Sequence, residues 1–131
     1  MSDKELWGLD IFRNKGKCMN CHYGAILSDK KFHNIGLSFY GRKLQDLGRY
    51  EVTQNPEDVG KFKTPSLVGV SRSAPYMHNG IFPHLVGIIN MYNAGFPVAV
   101  VKGTENDPLL PKTDPLIFKL NLTRDEILAL E

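Results

Sequence analysis

Gly16-Lys17-Cys18-Met19-Asn20-Cys21-His22 is the stretch that decides how this chain is read. Its last five residues form C-x-x-C-H, the spacing with which c-type haem is attached to protein. Two thiols one helical turn apart can each add to a vinyl group of one porphyrin, and the histidine behind the second thiol then binds the iron. Cys18 and Cys21 are the chain's two cysteines, so all its sulfhydryl chemistry is concentrated here. Three ordinary alternatives compete. A redox-active C-x-x-C needs no following histidine and prefers a strand before it, whereas the residues before Cys18 carry a helical pattern. A zinc site needs about four ligands, and His33, His78 and His84 show no second paired spacing. A disulfide across so short a loop is strained and leaves His22 without a role.

Upstream, Leu6, Leu9 and Phe12 recur at helical spacing, predicting a helix over Glu5 to Arg13 that ends near Gly16 and delivers the chain to the motif. Downstream, Tyr23 to Gly60 mixes glycines, scattered aromatics and the turn signal Asn55-Pro56, predicting a long loop with short turns at most. A loop of that length is unusual unless it wraps something, and a haem is a large apolar object to wrap. Thr64-Pro65 and Ala74-Pro75 keep the next stretch extended, since proline biases its predecessor away from helix. Pro83 fits a first helical position, followed by Leu85, Ile88, Ile89 and Tyr92 on one face until Asn93 and Gly95. Phe96 to Leu122 holds four of the eight prolines and reads as a second wrapping loop. Thr123-Arg124-Asp125-Glu126 is a capping box opening a last helix, which looks truncated at Glu131.

The whole composition fits one folded domain over residues 1–131: 131 residues, 42% hydrophobic and 23% charged. A net charge of +2 gives no electrostatic case for nucleic acid or a membrane surface. No apolar run reaches the ~20 residues of a membrane span, and the first residues lack a secretory signal. The expected architecture is mainly α, a class I cytochrome c-like domain with long haem-wrapping loops.

Further blocks then matter together: Phe32-His33-Asn34-Ile35-Gly36, Asp46-Leu47-Gly48-Arg49, Gly60-Lys61-Phe62-Lys63-Thr64-Pro65-Ser66-Leu67 and Ala74-Pro75-Tyr76-Met77-His78-Asn79-Gly80. With the cysteine motif, and in this order, they resemble the C-terminal haem domain of bacterial di-haem cytochrome c peroxidases and their MauG-like relatives. The resemblance implies one covalent haem c, with Cys18 and Cys21 as its tethers and His22 as proximal ligand. It implies that the chain receives electrons from a small donor protein and passes them to an N-terminal peroxidatic haem domain, in the periplasm. It places the sixth iron ligand fourteen residues after His78, at Tyr92. Tyr92 also shares the apolar face of Leu85, Ile88 and Ile89, whereas Met91 points about 100° away. A core tyrosine is the ordinary alternative, and Met77 and Met91 are the sulfur alternatives. The resemblance further implies calcium held by the backbone carbonyls of Ser73 and Pro75.

Other residues carry weaker signals. His78 suits a hydrogen bond beside the haem, His33 a satisfied half-buried position, and His84 the surface. Arg49 and Lys63 could meet haem propionates. Arg13, Lys15, Lys17, Lys30 and Lys31 outnumber Asp10 and Asp29 around the motif, a face suited to an acidic electron-transfer partner or simply to solvent. Two features depart from the family pattern: Asn79 replaces the usual Asp, and Val68 follows Leu67 where Arg is common. One C-x-x-C-H cannot complete a two-haem reaction, so peroxidase activity is expected of the whole protein and not of this chain. A stand-alone mono-haem electron carrier is the alternative.

Overall fold

The computed structural model describes residues 1–131, and its regular structure is helical apart from one short strand pair. Helix α1 spans Asp3–Arg13, α2 Tyr50–Thr53, α3 Leu85–Asn93 and α4 Arg124–Leu130. Strands β1 (Phe32–His33) and β2 (Phe62–Lys63) pair antiparallel, with Phe32 opposite Lys63 and His33 opposite Phe62. Short 3-10 turns at Cys18–Asn20, Pro56–Asp58 and Val70–Arg72 punctuate the connecting segments. No helix is long and apolar enough to cross a membrane.

Both terminal helices begin in the same way. At α1, the Ser2 hydroxyl accepts from the Glu5 N–H while the Glu5 carboxylate accepts from the Ser2 N–H. At α4, Thr123 and Glu126 exchange the same two bonds, at 3.3 and 2.7 Å. Each box satisfies two amide donors that the helix itself leaves without partners. The first box moves the start of α1 ahead of Glu5, where hydrophobic spacing alone had put it. The start of α3 is corrected in the other direction. Pro83 is not its first helical residue, because His84 is extended (φ −133°, ψ 145°) and forms the N-cap, so the helix begins at Leu85.

The core forms where α1 and α3 pack on α4. Ile11, Leu122, Ile127 and Ala129 are buried there, with Val86, Ile89, Leu120 and Leu130 packed against them. Gly8 permits the crossing of α1 and α4, since a Cβ at this position would run into the backbone carbonyl of Ala129. Outside the core, Lys15 grips Glu126 at 2.7 Å, and Asn93 brackets Leu122 by accepting from its N–H at 2.7 Å and donating to its carbonyl at 3.1 Å. The long segments are held mainly by local turns. The Tyr23–Gly60 stretch carries β1, α2 and a 3-10 turn, so it is more ordered than its irregular sequence suggests.

Candidate functional site

The cysteine motif is aimed by the end of α1. The Gly16 N–H donates to the Ile11 carbonyl at 2.7 Å, and Ile11 is anchored in the core. A Cβ on Gly16 would meet that carbonyl oxygen at 2.9 Å and the Cys18 sulfur at 3.3 Å, so only glycine brings the turn this close. Lys17 then takes a left-handed conformation (φ 53°) and caps the 3-10 turn Cys18–Asn20. The Cys18 carbonyl accepts from both the Cys21 and His22 N–H groups, at 3.3 and 2.9 Å, which sets the two thiols one turn apart.

His22 is oriented by a single bond: its Nδ1 lies 2.9 Å from the Leu27 carbonyl. A carbonyl only accepts, so Nδ1 carries the proton and Nε2 presents a lone pair. Burial pulls the His22 pKa down, partly offset by that backbone bond, which keeps the ring neutral. This is the arrangement by which a metal-binding histidine is fixed and made more basic toward its metal.

Cys18 and Cys21 are unpaired and half-buried. Burial pushes both thiols up to about 11, with Asp29 adding to the effect at Cys21. A dithiol redox motif works through the opposite shift, a thiolate stabilised near neutral pH. The local electrostatics therefore disfavour disulfide exchange at this pair.

Tyr92 lies on the inner face of α3 beside Phe96, edge to face at 4.8 Å between ring centroids. Its pKa is raised chiefly by burial and then by the charges of Cys21 and Cys18, so its phenol lies near the motif. Phe96 is 2% exposed. Met77 sits in a left-handed turn (φ 68°) and Met91 on the adjacent, half-buried side of α3.

His78 stacks on Phe62, with centroids 3.7 Å apart and planes 11° from parallel, and its Nε2 is 3.8 Å from Asp46. Next to it, the Asn79 side-chain amide nitrogen is buried without a hydrogen-bond partner. Arg49 is occupied by Asp58 at 3.3 Å and by the Phe32 ring, 4.1 Å from its centroid, while Lys63 is exposed. Within the basic face, Lys15 is committed to Glu126. Lys30 and Lys63 flank an open groove of about 430 Å³ that runs along Ile26, Ser28, Thr64 and Ser66 beside the motif. Ser73 and Pro75 are exposed, and the Ser73 hydroxyl is turned to the Val70 carbonyl at 3.0 Å. His84 is exposed.

One cluster was hidden in the sequence. His33 donates from Nδ1 to Asp114 and from Nε2 to Asp29, both at 2.7 Å. Ligand atoms of Cys21, Asp29 and His33 lie within 4.8 Å of one another. The group does not offer a free metal site, because both imidazole nitrogens are already bound to carboxylates. His33 and Asp29 were visible as neighbours in sequence, but Asp114 arrives from 81 residues away with no local signal.

The donor set fits a covalently attached haem: two unpaired, half-buried thiols, a neutral histidine with Nε2 presented, and the half-buried Tyr92 close enough to feel the thiols' charge. The fold is also short of large interior side chains, with 15 of 131 residues buried, so a large apolar group would extend its core.

Comparison with known proteins follows the same line. No family profile matches the chain. The cytochrome-c peroxidase IdrP1 of Denitromonas iodatirespirans is 34% identical over 136 residues, covering 83% of this chain and 36% of that protein. The chain is homologous to part of the cytochrome c peroxidase and MauG family. The methylamine utilization protein MauG of Methylophilus methylotrophus is 34% identical, covering 72% of this chain and 28% of that protein. A crystal structure of a MauG-like protein associated with microbial copper homeostasis superposes with a TM-score of 0.81 at 29% identity, over 99% of this chain and 45% of that one. The chain thus spans about a third of the length of the curated relatives it matches.

Proposed function

We propose that this chain is a single c-type haem domain that relays electrons within a larger di-haem cytochrome c peroxidase or MauG-like oxidase, corresponding to its C-terminal haem domain. The observation that carries the reading is His22, whose ring is fixed by the Leu27 carbonyl directly beside two unpaired, half-buried thiols. Cys18 and Cys21 would tether the haem, His22 Nε2 would hold its iron from the proximal side, and the Tyr92 hydroxyl would hold it from the distal side. When bound, the haem supplies reversible one-electron storage. A phenolate favours the ferric state, so Tyr92 would set a low potential where a methionine would set a high one.

The chain's own groups complete the binding. Phe96 and Tyr92, in edge-to-face contact, would exclude water from the bound group, the two long loops would cover it, and Lys30 and Lys63 at the groove would offer charge for its propionates. The buried Asn79 amide nitrogen is a further unused donor. In this reading the parent protein is periplasmic, its other haem domain reacts with peroxide, and a small electron-donor protein docks on the face around Met19, Tyr23 and Ile26, which are 41–43% exposed. Calcium would be held at the backbone of Ser73 and Pro75, with its remaining ligands supplied from the partner domain. The names of the relatives support an enzyme domain over a stand-alone carrier.

Steady-state assay of the haem-loaded chain beside its longer parent tests this division of labour. The parent is expected to oxidise a reduced single-electron carrier with hydrogen peroxide. The chain is expected to exchange electrons with the same carrier but not to turn over peroxide. Peroxide turnover by the chain at the parent's rate would overturn the reading.

A further inference from the structure

The cluster around His33 is not used in the function just proposed, yet it abuts the haem tether. An ionised carboxylate only accepts hydrogen bonds, so two carboxylates at 2.7 Å, one on each ring nitrogen, require His33 to carry both protons. The three side chains are 14%, 3% and 21% exposed for His33, Asp29 and Asp114, so this charge is largely shielded from solvent. They join distant parts of the chain: Asp29 follows the motif, His33 lies on β1, and Asp114 belongs to the late loop. That loop is also pinned by the Asn34 side chain to the Lys112 carbonyl at 2.8 Å, and by the Asp114 N–H to the Asn34 carbonyl at 2.8 Å. The Asp29 N–H donates to the Cys21 carbonyl at 2.8 Å, and the Cys21 sulfur lies within 4.8 Å of the imidazole.

We propose that Asp29, His33 and Asp114 form a redox-linked proton site, in which His33 binds its proton more tightly when the haem tethered at Cys21 is reduced. This rests on the haem reading above. The balance is one electron from a reduced single-electron carrier to the bound haem iron, ferric to ferrous, together with one proton from solvent to the neutral His33 ring. No bond to carbon forms or breaks. Reduction removes one unit of positive charge from the haem, and the imidazolium is stabilised accordingly. In general, a unit charge ~12 Å away at an effective dielectric of ~20 is worth about tenfold in proton affinity.

The groups facing His33 agree with the assignment. Asp29 and Asp114 hold the proton. Cys21 is consumed by the tether, and His22 lies at the haem. Lys61 acts on Asp114 and Lys31 on Cys21, and neither is bonded to the ring. Burial works against the charged ring, but the two carboxylates outweigh it and raise the His33 pKa. The proton-linked window therefore lies on the alkaline side of an ordinary histidine.

The test is the midpoint potential of the haem-loaded chain by spectroelectrochemistry from about pH 5 to about pH 10. In the wild type the potential is expected to fall across a window above about pH 6.5, by about 59 mV in total for a tenfold change in affinity. His33→Gln should be flat there, with its haem spectrum retained. Asp114→Asn removes one of the groups holding the proton and should move the window to lower pH. If His33→Gln does not fold, Asp114→Asn and the count of protons taken up per electron in the wild type decide alone. A wild-type potential independent of pH in this window, the same fall in His33→Gln, or an unmoved window in Asp114→Asn would each overturn the proposal. Absence of covalent haem on a denaturing gel would instead overturn the haem reading, before any potential is measured.

Discussion

Replacing Gly8 by alanine separates two effects of opposite sign. In an exposed helix interior, glycine to alanine stabilises by about 1 kcal/mol, because alanine restricts the unfolded chain and favours helix. At Gly8 the added methyl would collide with the Ala129 carbonyl oxygen and lie 2.8 Å from its carbonyl carbon. That neighbour is backbone, so relief requires α1 and α4 to move apart and loosen Ile11, Leu122, Ile127 and Ala129. Overpacking of this kind costs up to about 3 kcal/mol. The net expectation is a loss of about 2 kcal/mol, which for a chain of this length lowers Tm by about 8 °C. Thermal unfolding of the haem-loaded chain followed by far-UV circular dichroism measures it. Lys4→Ala on the exposed side of the same helix is the control and should change stability by less than about 0.5 kcal/mol. A Tm for Gly8→Ala equal to or above wild type would show that α1 and α4 do not cross as closely as described.

Thr123→Ala removes the hydroxyl that accepts from the Glu126 N–H, and should lower stability by about 1 kcal/mol in the same unfolding assay. Tyr92→Phe should alter the low-spin optical spectrum of the haem-loaded chain and raise its reduction potential, since a ferric-stabilising phenolate is lost; an unchanged spectrum would return Tyr92 to a packing role. Stability should also depend on pH through the His33 cluster, as urea titrations at several pH values would reveal. The folded-state pKa of His33 is raised, so its contribution is complete below about pH 6.5 and fades as pH rises through the folded value. For Asp29 and Asp114, burial raises the pKa but hydrogen bonds prevail and leave it lowered. Their contribution is present above about pH 4 and fades as pH falls through the folded values. A flat profile across both limits would contradict the cluster.

What the sequence revealed follows the range of the interactions involved. The Cys18-Cys21-His22 motif, the Thr123 capping box and the apolar face of α3 are local patterns, and each can be read from residues within two turns of one another. The start of α1 was equally legible, since Ser2-x-x-Glu5 repeats the pattern of Thr123-x-x-Glu126, although hydrophobic spacing alone begins the helix at Glu5; the start of α3 was not, because His84 caps it through an extended backbone with no side-chain bond. Gly8 carried no visible signal, since a helical glycine declares its purpose only when the partner backbone is known. The Leu27 carbonyl that orients His22 and the Asp114 carboxylate that completes the His33 cluster are equally silent in sequence. A carbonyl belongs to every residue, and an aspartate 81 positions away reaches its partner only through the path of the folded loop.

The central claim is that Cys18, Cys21 and His22 hold one covalent haem. Its most direct test is a pyridine haemochrome spectrum, with haem-stained denaturing gel, of the chain produced alongside a c-type haem-attachment apparatus. The account predicts one haem per chain, a spectrum of the two-thioether c type, and staining that survives denaturation in the wild type and is lost when Cys18 and Cys21 are both changed to serine. Wild-type chain that emerges folded, with both thiols free and no haem bound, would contradict it.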